Sequence, residues 1–134
     1  MSGDQSDLVS YRLERARETL VEARTMSDIG HANACVNRLY YACFYAVNAL
    51  LASRGLSASK HSGVRSLFGQ HFVKTGLIPT ELGKFYNDLF ESRQESDYDD
   101  FFRVDAEKLP HMLEVASRFI DTVEALAREL PGSG

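Results

Sequence analysis

Apolar residues recur every three or four positions in five segments of the chain, which is the spacing of a helix that buries one face. We predict helices at residues 6–26, 29–54 and 62–74, from Thr80 onward, and at 105–130. The second segment is apolar on every side, a pattern typical of a helix that other helices cover. Since no segment shows the alternation of a strand, the sequence predicts an all-α bundle of about five helices.

Glycines mark the ends of the second and third predicted helices. Gly55 and Gly76 follow these segments, and glycine adopts the left-handed conformation of a helix end without steric cost. The two chain ends, about residues 1–5 and 131–134, should be frayed. A length of 134 residues suits one domain, so we predict a single domain over residues 1–134.

The overall charge and the two cysteines restrict the class of protein. A formal net charge of −4 argues against binding nucleic acid by bulk electrostatics, although it permits a local basic groove. Cys35 and Cys43 lie about 12 Å apart on one helix, too far for a disulfide. No apolar run reaches membrane-spanning length and the N-terminus lacks a secretory pattern. We therefore expect a cytoplasmic protein with reduced thiols and no membrane contact.

Arg38 is unusual because it lies in the most apolar helix, one turn before Tyr41. A charge in such a place must be paired or must line a cleft. One interpretation is a buried ion pair with a carboxylate of another helix. Asp97 is the first candidate, followed by Glu91 or Glu95, and removal of Arg38 would then cost about 3–5 kcal/mol. The other is a phosphate contact, which the forked guanidinium suits.

Arg93 and His61 also stand out. Arg93 ends the apolar face of the fourth helix and precedes Asp97 by one turn, as in a helix-end ion pair or a cleft site. His61 precedes the third helix, where it is either a structural hydrogen-bond partner or a catalytic group. The remaining histidines and acidic residues lack the spacing of metal ligands, and there is no glycine-rich phosphate loop. We expect no metal ion and no cofactor.

Three motifs occur in a fixed order along the chain. They are Asn37-Arg38-Leu39-Tyr40-Tyr41-Ala42-Cys43-Phe44, then Lys60-His61-Ser62-Gly63-Val64, then Arg93 with Asp97-Tyr98. In these motifs, and from the first helix to about Leu130, the chain resembles a subgroup of bacterial and archaeal HEPN proteins. The resemblance implies an up-and-down antiparallel bundle that forms a homodimer. It also implies a toxin–antitoxin or defence pair in which the partner is a minimal nucleotidyltransferase.

The resemblance also bears on catalysis. Active members of the family cut RNA without a metal ion, using an arginine followed after four to six residues by a histidine. Arg93 matches that arginine, but the window after it holds Asp97 and Tyr98 and no imidazole. Proton transfer near neutral pH is best done by histidine, and an arginine beside Asp97 favours the ionised carboxylate. We expect weak or absent ribonuclease activity.

Aromatic residues give a second reason to expect a homodimer. The second to fourth helices carry more rings than a slim bundle readily hides, and exposed apolar surface usually marks an interface. These rings are Tyr40, Tyr45, Phe68, Phe72, Phe85, Tyr86 and Phe90.

Three functions are compatible with these features. The first is a HEPN-type binding module that contacts a nucleotide, RNA or a nucleotidyltransferase partner through one cleft. The cleft would contain Arg38, Tyr41, His61, Arg93 and Tyr98. The second is a metal-independent ribonuclease that uses Arg93 with His61 or Asp97. The third is a structural helical adaptor.

Overall fold

The computed structural model describes the backbone of residues 3–98 and 103–129 and the side chains of residues 5–96 and 103–129. Its helices are α1 (Gly3–Asp28), α2 (Ala32–Ser53), α3 (His61–Phe68), α4 (Thr80–Tyr98) and α5 (Leu109–Ala127). Within these ranges there is no strand, and the prediction of an all-α bundle of about five helices is confirmed. In the same ranges, no helix is both long enough and apolar enough to cross a membrane.

Helix α2 occupies the centre of the bundle. It packs against α1, α3, α4 and α5, and most of its residues between Cys35 and Ser53 are buried. The prediction that other helices cover this segment is therefore confirmed.

Cys35 and Cys43 are free and buried. Burial raises the pKa of the Cys35 thiol to about 11 and also raises that of Cys43, so neither is a reactive thiolate near neutral pH.

The boundary between α1 and α2 differs from the prediction. Helix α2 begins at Ala32, three residues after the predicted start at residue 29. Gly30 has a φ of +82°, and the His31 backbone N–H donates to the Met26 carbonyl oxygen at 2.8 Å. This left-handed cap closes α1 before a new helix starts. Gly55 and Gly76, with φ values of +73° and +85°, end their segments as predicted.

The third and fifth predicted helices each contain a short irregular turn. Helix α3 continues as a single π turn over Gly69–Val73. Before α5, Ala106–Lys108 forms a 3-10 turn, and the Asp105 carboxylate accepts a hydrogen bond from the Glu107 backbone N–H at 3.0 Å. Pro110 then occupies the first turn of α5, where a missing N–H costs no helical hydrogen bond.

The aromatic residues are accommodated within one chain. Tyr40, Phe68, Phe72, Tyr86 and Phe90 are buried, and Tyr45 and Phe85 are partly buried. Phe119 of α5 contacts both α3 and α4, because its ring lies 5.8 Å from that of Phe68 and stacks on Tyr86 at the same centroid distance. The aromatic surplus is therefore a wrong reason to expect a homodimer. That expectation now rests on the family resemblance alone.

Gly83 allows α4 to approach the π turn closely. A Cβ at this position would lie 2.8 Å from Cγ1 and 2.9 Å from Cγ2 of Val73. Overpacking costs about 1–3 kcal/mol, whereas alanine favours a helix over glycine by about 1 kcal/mol. We expect Gly83→Ala to lower the free energy of unfolding by about 1 kcal/mol in urea unfolding.

Gly69 provides the matched control for this substitution. A Cβ there meets no atom within 4 Å, so Gly69→Ala should not destabilise the protein. Adding Val73→Ala to Gly83→Ala should remove the clash and recover part of the loss. A gain in stability from Gly83→Ala alone would contradict this expectation, because it would show that the π turn moves away from the added methyl group without cost.

Candidate functional site

Arg93 of α4 contacts two tyrosines of α2. Its Nη1 donates a hydrogen bond to the Tyr41 hydroxyl at 3.2 Å. Its Cζ lies 5.2 Å from the centroid of the Tyr40 ring and 5.8 Å from that of Tyr41, within the range of cation–π attraction. The two predicted site residues Arg93 and Tyr41 are therefore in contact.

His61 joins the same group from the first turn of α3. Its Nδ1 lies 2.7 Å from the Tyr40 hydroxyl oxygen, and its ring stacks on Phe44 with centroids 4.3 Å apart and planes 8° apart. The Tyr41 ring meets it edge-on at 5.9 Å. His61 can contact both Tyr40 and Phe44 because these two residues are one turn apart on α2 and so face α3 together.

Burial and a neighbouring cation keep His61 neutral. Burial lowers the pKa of His61, and the positive charge of Arg93 lowers it further. Burial raises the pKa of Tyr40 to about 12, so its hydroxyl stays protonated and can donate to Nδ1. In that arrangement Nε2 carries the imidazole proton. His61 can then donate a hydrogen bond to an anion through Nε2.

Arg38 lies at the edge of α2 that faces α1. Its Nη1 donates to Glu22 Oε1 at 3.2 Å, and its Nε and Nη2 donate to Asn37 Oδ1. Its Cζ lies 5.3 Å from the Tyr41 ring centroid. Tyr41 is thus flanked by two guanidinium groups, those of Arg38 and Arg93.

The predicted ion pair between Arg38 and a carboxylate of another helix is present, but its partner and its burial differ from the prediction. The partner is Glu22 of α1 and neither Glu91 nor Glu95, and the side chain of Asp97 lies outside the described residues. The side chain is 32% exposed and that of Glu22 is 45% exposed, so this is a surface ion pair. Helix α1 lies against this edge of α2, whereas α4 carries the three predicted partners. Loss of such a pair costs at most about 1 kcal/mol, far less than a buried pair would.

Two predicted site residues belong to the end of α4. The helix continues through Tyr98, but the side chains of Asp97 and Tyr98 lie outside the described residues. The predicted Arg93–Asp97 ion pair and the predicted role of Tyr98 lie outside them as well.

Arg65 belongs to the site but was absent from the predicted set. It lies one turn after His61 on α3, and its Cζ is 4.1 Å from the Phe90 ring centroid. Phe90 in turn meets the Tyr40 ring edge-on, with centroids 6.2 Å apart. The four-residue spacing from His61 was the available signal, since it places both side chains on one face of a helix.

The site is therefore an arginine–aromatic cluster built from α2, α3 and α4. Its members are Arg38, Tyr40, Tyr41, Phe44, His61, Arg65, Phe90 and Arg93. Cationic forks beside partly exposed rings can bind a phosphate and stack a base.

A groove between α4 and α5 shares no lining residue with this cluster. Its volume is about 900 Å³, and Phe85, Met112 and Val115 contribute its apolar surface. Charges of both signs surround it and pair with each other, as in Arg118–Glu81 at 3.7 Å. These balanced charges give the groove no preference for an anion or a cation.

The lowered pKa of His61 predicts a dependence of stability on pH. In the unfolded state this imidazole is protonated below about pH 6.5, whereas in the folded state it is protonated only at a lower pH. Stability from this group is present at higher pH and is lost as the pH falls below about 6.5. Urea unfolding of parent and His61→Gln should show the parent losing stability relative to the variant between about pH 8 and about pH 5.5.

The exposed His111 of α5, replaced by glutamine in the same way, controls for the loss of an imidazole. A parent–variant difference that stays constant across this pH range would contradict the assigned environment of His61.

Comparison with known proteins places the chain in a family. Residues 9–126 match the HEPN domain. A UPF0332 protein of Thermotoga maritima is 42% identical over 127 residues, covering 95% of this chain and 96% of the relative. A Methanocaldococcus jannaschii protein that carries the name "putative toxin" is 30% identical over 109 residues, covering 81% and 74%. A UPF0332 protein of Gloeobacter violaceus is 38% identical over 98 residues, covering 73% and 75%.

The match to the HEPN domain covers most of the five-helix bundle, and the arginine–aromatic cluster lies entirely within it. The chain belongs to the HEPN domain family.

Proposed function

We propose that this HEPN protein is the binding module of a toxin–antitoxin or defence pair. Its arginine–aromatic cluster would contact the phosphate and base of a nucleotide or RNA. The names of two Methanocaldococcus jannaschii relatives, both "putative toxin", support the class of system. The cluster supports the class of ligand.

The observation that carries the proposal is the placement of Arg38 and Arg93 around Tyr41. Each guanidinium can give two parallel hydrogen bonds to a phosphate, and bonds to a charged acceptor are stronger than neutral ones. The partly exposed Tyr41 ring offers a stacking surface for a base. This local positive region is compatible with a net charge of −4, because few contacts suffice for a short ligand.

The runner-up function is metal-independent ribonuclease activity, and the position of His61 favours it. The imidazole lies in the same cluster as Arg93, although it precedes Arg93 in the sequence. Two features weaken this alternative. Nδ1 is engaged by Tyr40, and burial together with Arg93 disfavours the protonated form. Because a leaving group needs a proton returned to it, we infer that binding exceeds catalysis. The structural adaptor remains the third function.

The proposed partners follow from the family resemblance. They are a second copy of this chain and a minimal nucleotidyltransferase, in the cytoplasm and away from membranes. Tyr98, at the end of α4, joins the proposed site on the same ground. For the second copy, light scattering behind a sizing column should give twice the 15.0 kDa chain mass. A mass of one chain at micromolar concentration would contradict the homodimer.

Ligand-induced stabilisation tests the proposed binding. A ligand that binds only the folded state stabilises it by about 2.7 kcal/mol at one hundred times its Kd. Adenosine monophosphate or a short RNA should therefore raise the Tm of the parent and raise that of Arg93→Gln less. An unchanged Tm with every nucleotide and RNA would favour the structural adaptor.

A further inference from the structure

Contacts between arginine and tyrosine continue beyond the cluster, across α2 to α1. The Tyr45 ring lies one turn after Tyr41 on α2, and the two ring centroids are 6.4 Å apart. Arg15 of α1 lies over Tyr45, with its Cζ 5.2 Å from the ring centroid. Contacts thus link Arg93 of α4, Tyr41 and Tyr45 of α2, and Arg15 of α1 in that order. We call the part of this series on α1 and α2 the α1–α2 track.

Tyr11 extends the track along α1. It lies one turn before Arg15 and therefore on the same face of the helix. It is among the most exposed large apolar residues of the described part of the chain, at 61%. A ring that is left this open beside an Arg–Tyr contact offers another stacking surface.

The ion pairs along the track are weak enough to exchange for a ligand. Arg15 pairs with Glu18 at 3.4 Å, with side chains 28% and 53% exposed. Arg38 pairs with Glu22 in a similarly exposed setting. Exposed pairs of this kind contribute at most about 1 kcal/mol, whereas a phosphate would give each arginine a bidentate, charge-assisted contact.

We infer that the α1–α2 track is a second nucleotide subsite, so that the ligand is single-stranded RNA several nucleotides long. This inference rests on the proposed function of the cluster. Successive bases stack on Tyr41 and Tyr45, and Arg38 and Arg15 contact the phosphates beside them. One turn of helix separates the two tyrosines by about 6 Å, which accommodates neighbouring bases of an extended strand. A duplex is excluded because its bases are already stacked.

Binding of a mononucleotide and of an octanucleotide tests the inference, because a single base can stack on only one of the two tyrosines. Fluorescence anisotropy in chelator would use labelled uridine monophosphate, labelled octauridylate and a duplex of the octanucleotide. The octanucleotide should bind at least about tenfold more tightly than the mononucleotide, since each stacked base adds a contact. Tyr45→Leu and Arg15→Gln should each weaken the octanucleotide about tenfold and leave the mononucleotide unchanged.

Two further variants separate this inference from the proposed function. Arg93→Gln should weaken both lengths, and Arg118→Gln, which removes an exposed arginine of α5, should weaken neither. Equal affinity for both lengths, or an octanucleotide unaffected by Tyr45→Leu, overturns the second subsite while Arg93→Gln still supports the first. If Arg93→Gln binds both lengths as tightly as the parent does, the proposed function itself is overturned. Circular dichroism of Tyr45→Leu confirms that the variant is folded.

Discussion

Tyr40→Ala should lower the free energy of unfolding by about 3–5 kcal/mol, the range for removal of a buried aromatic ring. Tyr40 has no exposed surface. Its ring contacts those of Tyr86 and Phe90 from α4, with centroids 5.9 Å and 6.2 Å away, and its hydroxyl binds His61 of α3. The substitution therefore removes the side chain that joins α2 to α3 and α4, and urea unfolding would measure the loss.

Two variants set the scale for this effect. Tyr11→Ala deletes the same ring from an exposed position and should change stability by less than about 0.5 kcal/mol. Tyr40→Phe keeps the ring and removes the hydroxyl that bonds to His61, at a cost of about 1 kcal/mol. If Tyr40→Ala and Tyr11→Ala lowered the free energy of unfolding equally, the centre of the cluster would not stabilise the fold.

Arg93→Gln should weaken RNA binding by about 10- to 100-fold, because hydrogen bonds to a charged group contribute about 1.5–3 kcal/mol. Glutamine keeps a polar amide but has neither the charge nor the guanidinium fork. Stability is measured separately, because Arg93 also contacts Tyr40 and Tyr41 through one hydrogen bond and two cation–π contacts. Fluorescence anisotropy at fixed salt gives the affinity, and urea unfolding gives the stability.

Arg93→Lys separates the charge from the fork. Lysine keeps the charge but cannot give the paired, planar contact, so its affinity should lie between those of the parent and Arg93→Gln. Arg118→Gln, which removes an exposed arginine of α5 outside the cluster, should bind like the parent. Parent-like affinity in Arg93→Gln would remove Arg93 from the site.

Local sequence pattern predicted much of this structure. The all-round apolar pattern identified α2 as the central helix, and Gly55 and Gly76 located two helix ends. The two signals are local, so they need no knowledge of which helices are neighbours. Arg93 and Tyr41, which were predicted to share one cleft, are in contact, because polar groups on apolar helix faces must meet a partner or a cleft; their role in binding stays a prediction.

Features that depend on helix neighbours could not be predicted in the same way. The partner of Arg38 is Glu22 because α1 lies along that edge of α2, a fact that no periodicity contains. The aromatic rings fit in one chain because Phe119 of α5 stacks on Tyr86 of α4. Local sequence pattern also does not place Arg65 over Phe90 or Arg15 over Tyr45, since each contact joins two helices.

The central claim is that the arginine–aromatic cluster binds RNA without cutting it efficiently. The most direct test incubates the purified parent in chelator with a mixture of structured and unstructured RNA, and follows bound fraction and strand length together. We predict bound, intact RNA, with binding weakened in Arg93→Ala. Cleavage by the parent that is lost in Arg93→Ala, His61→Ala and Asp97→Ala would contradict the claim and establish a metal-independent ribonuclease.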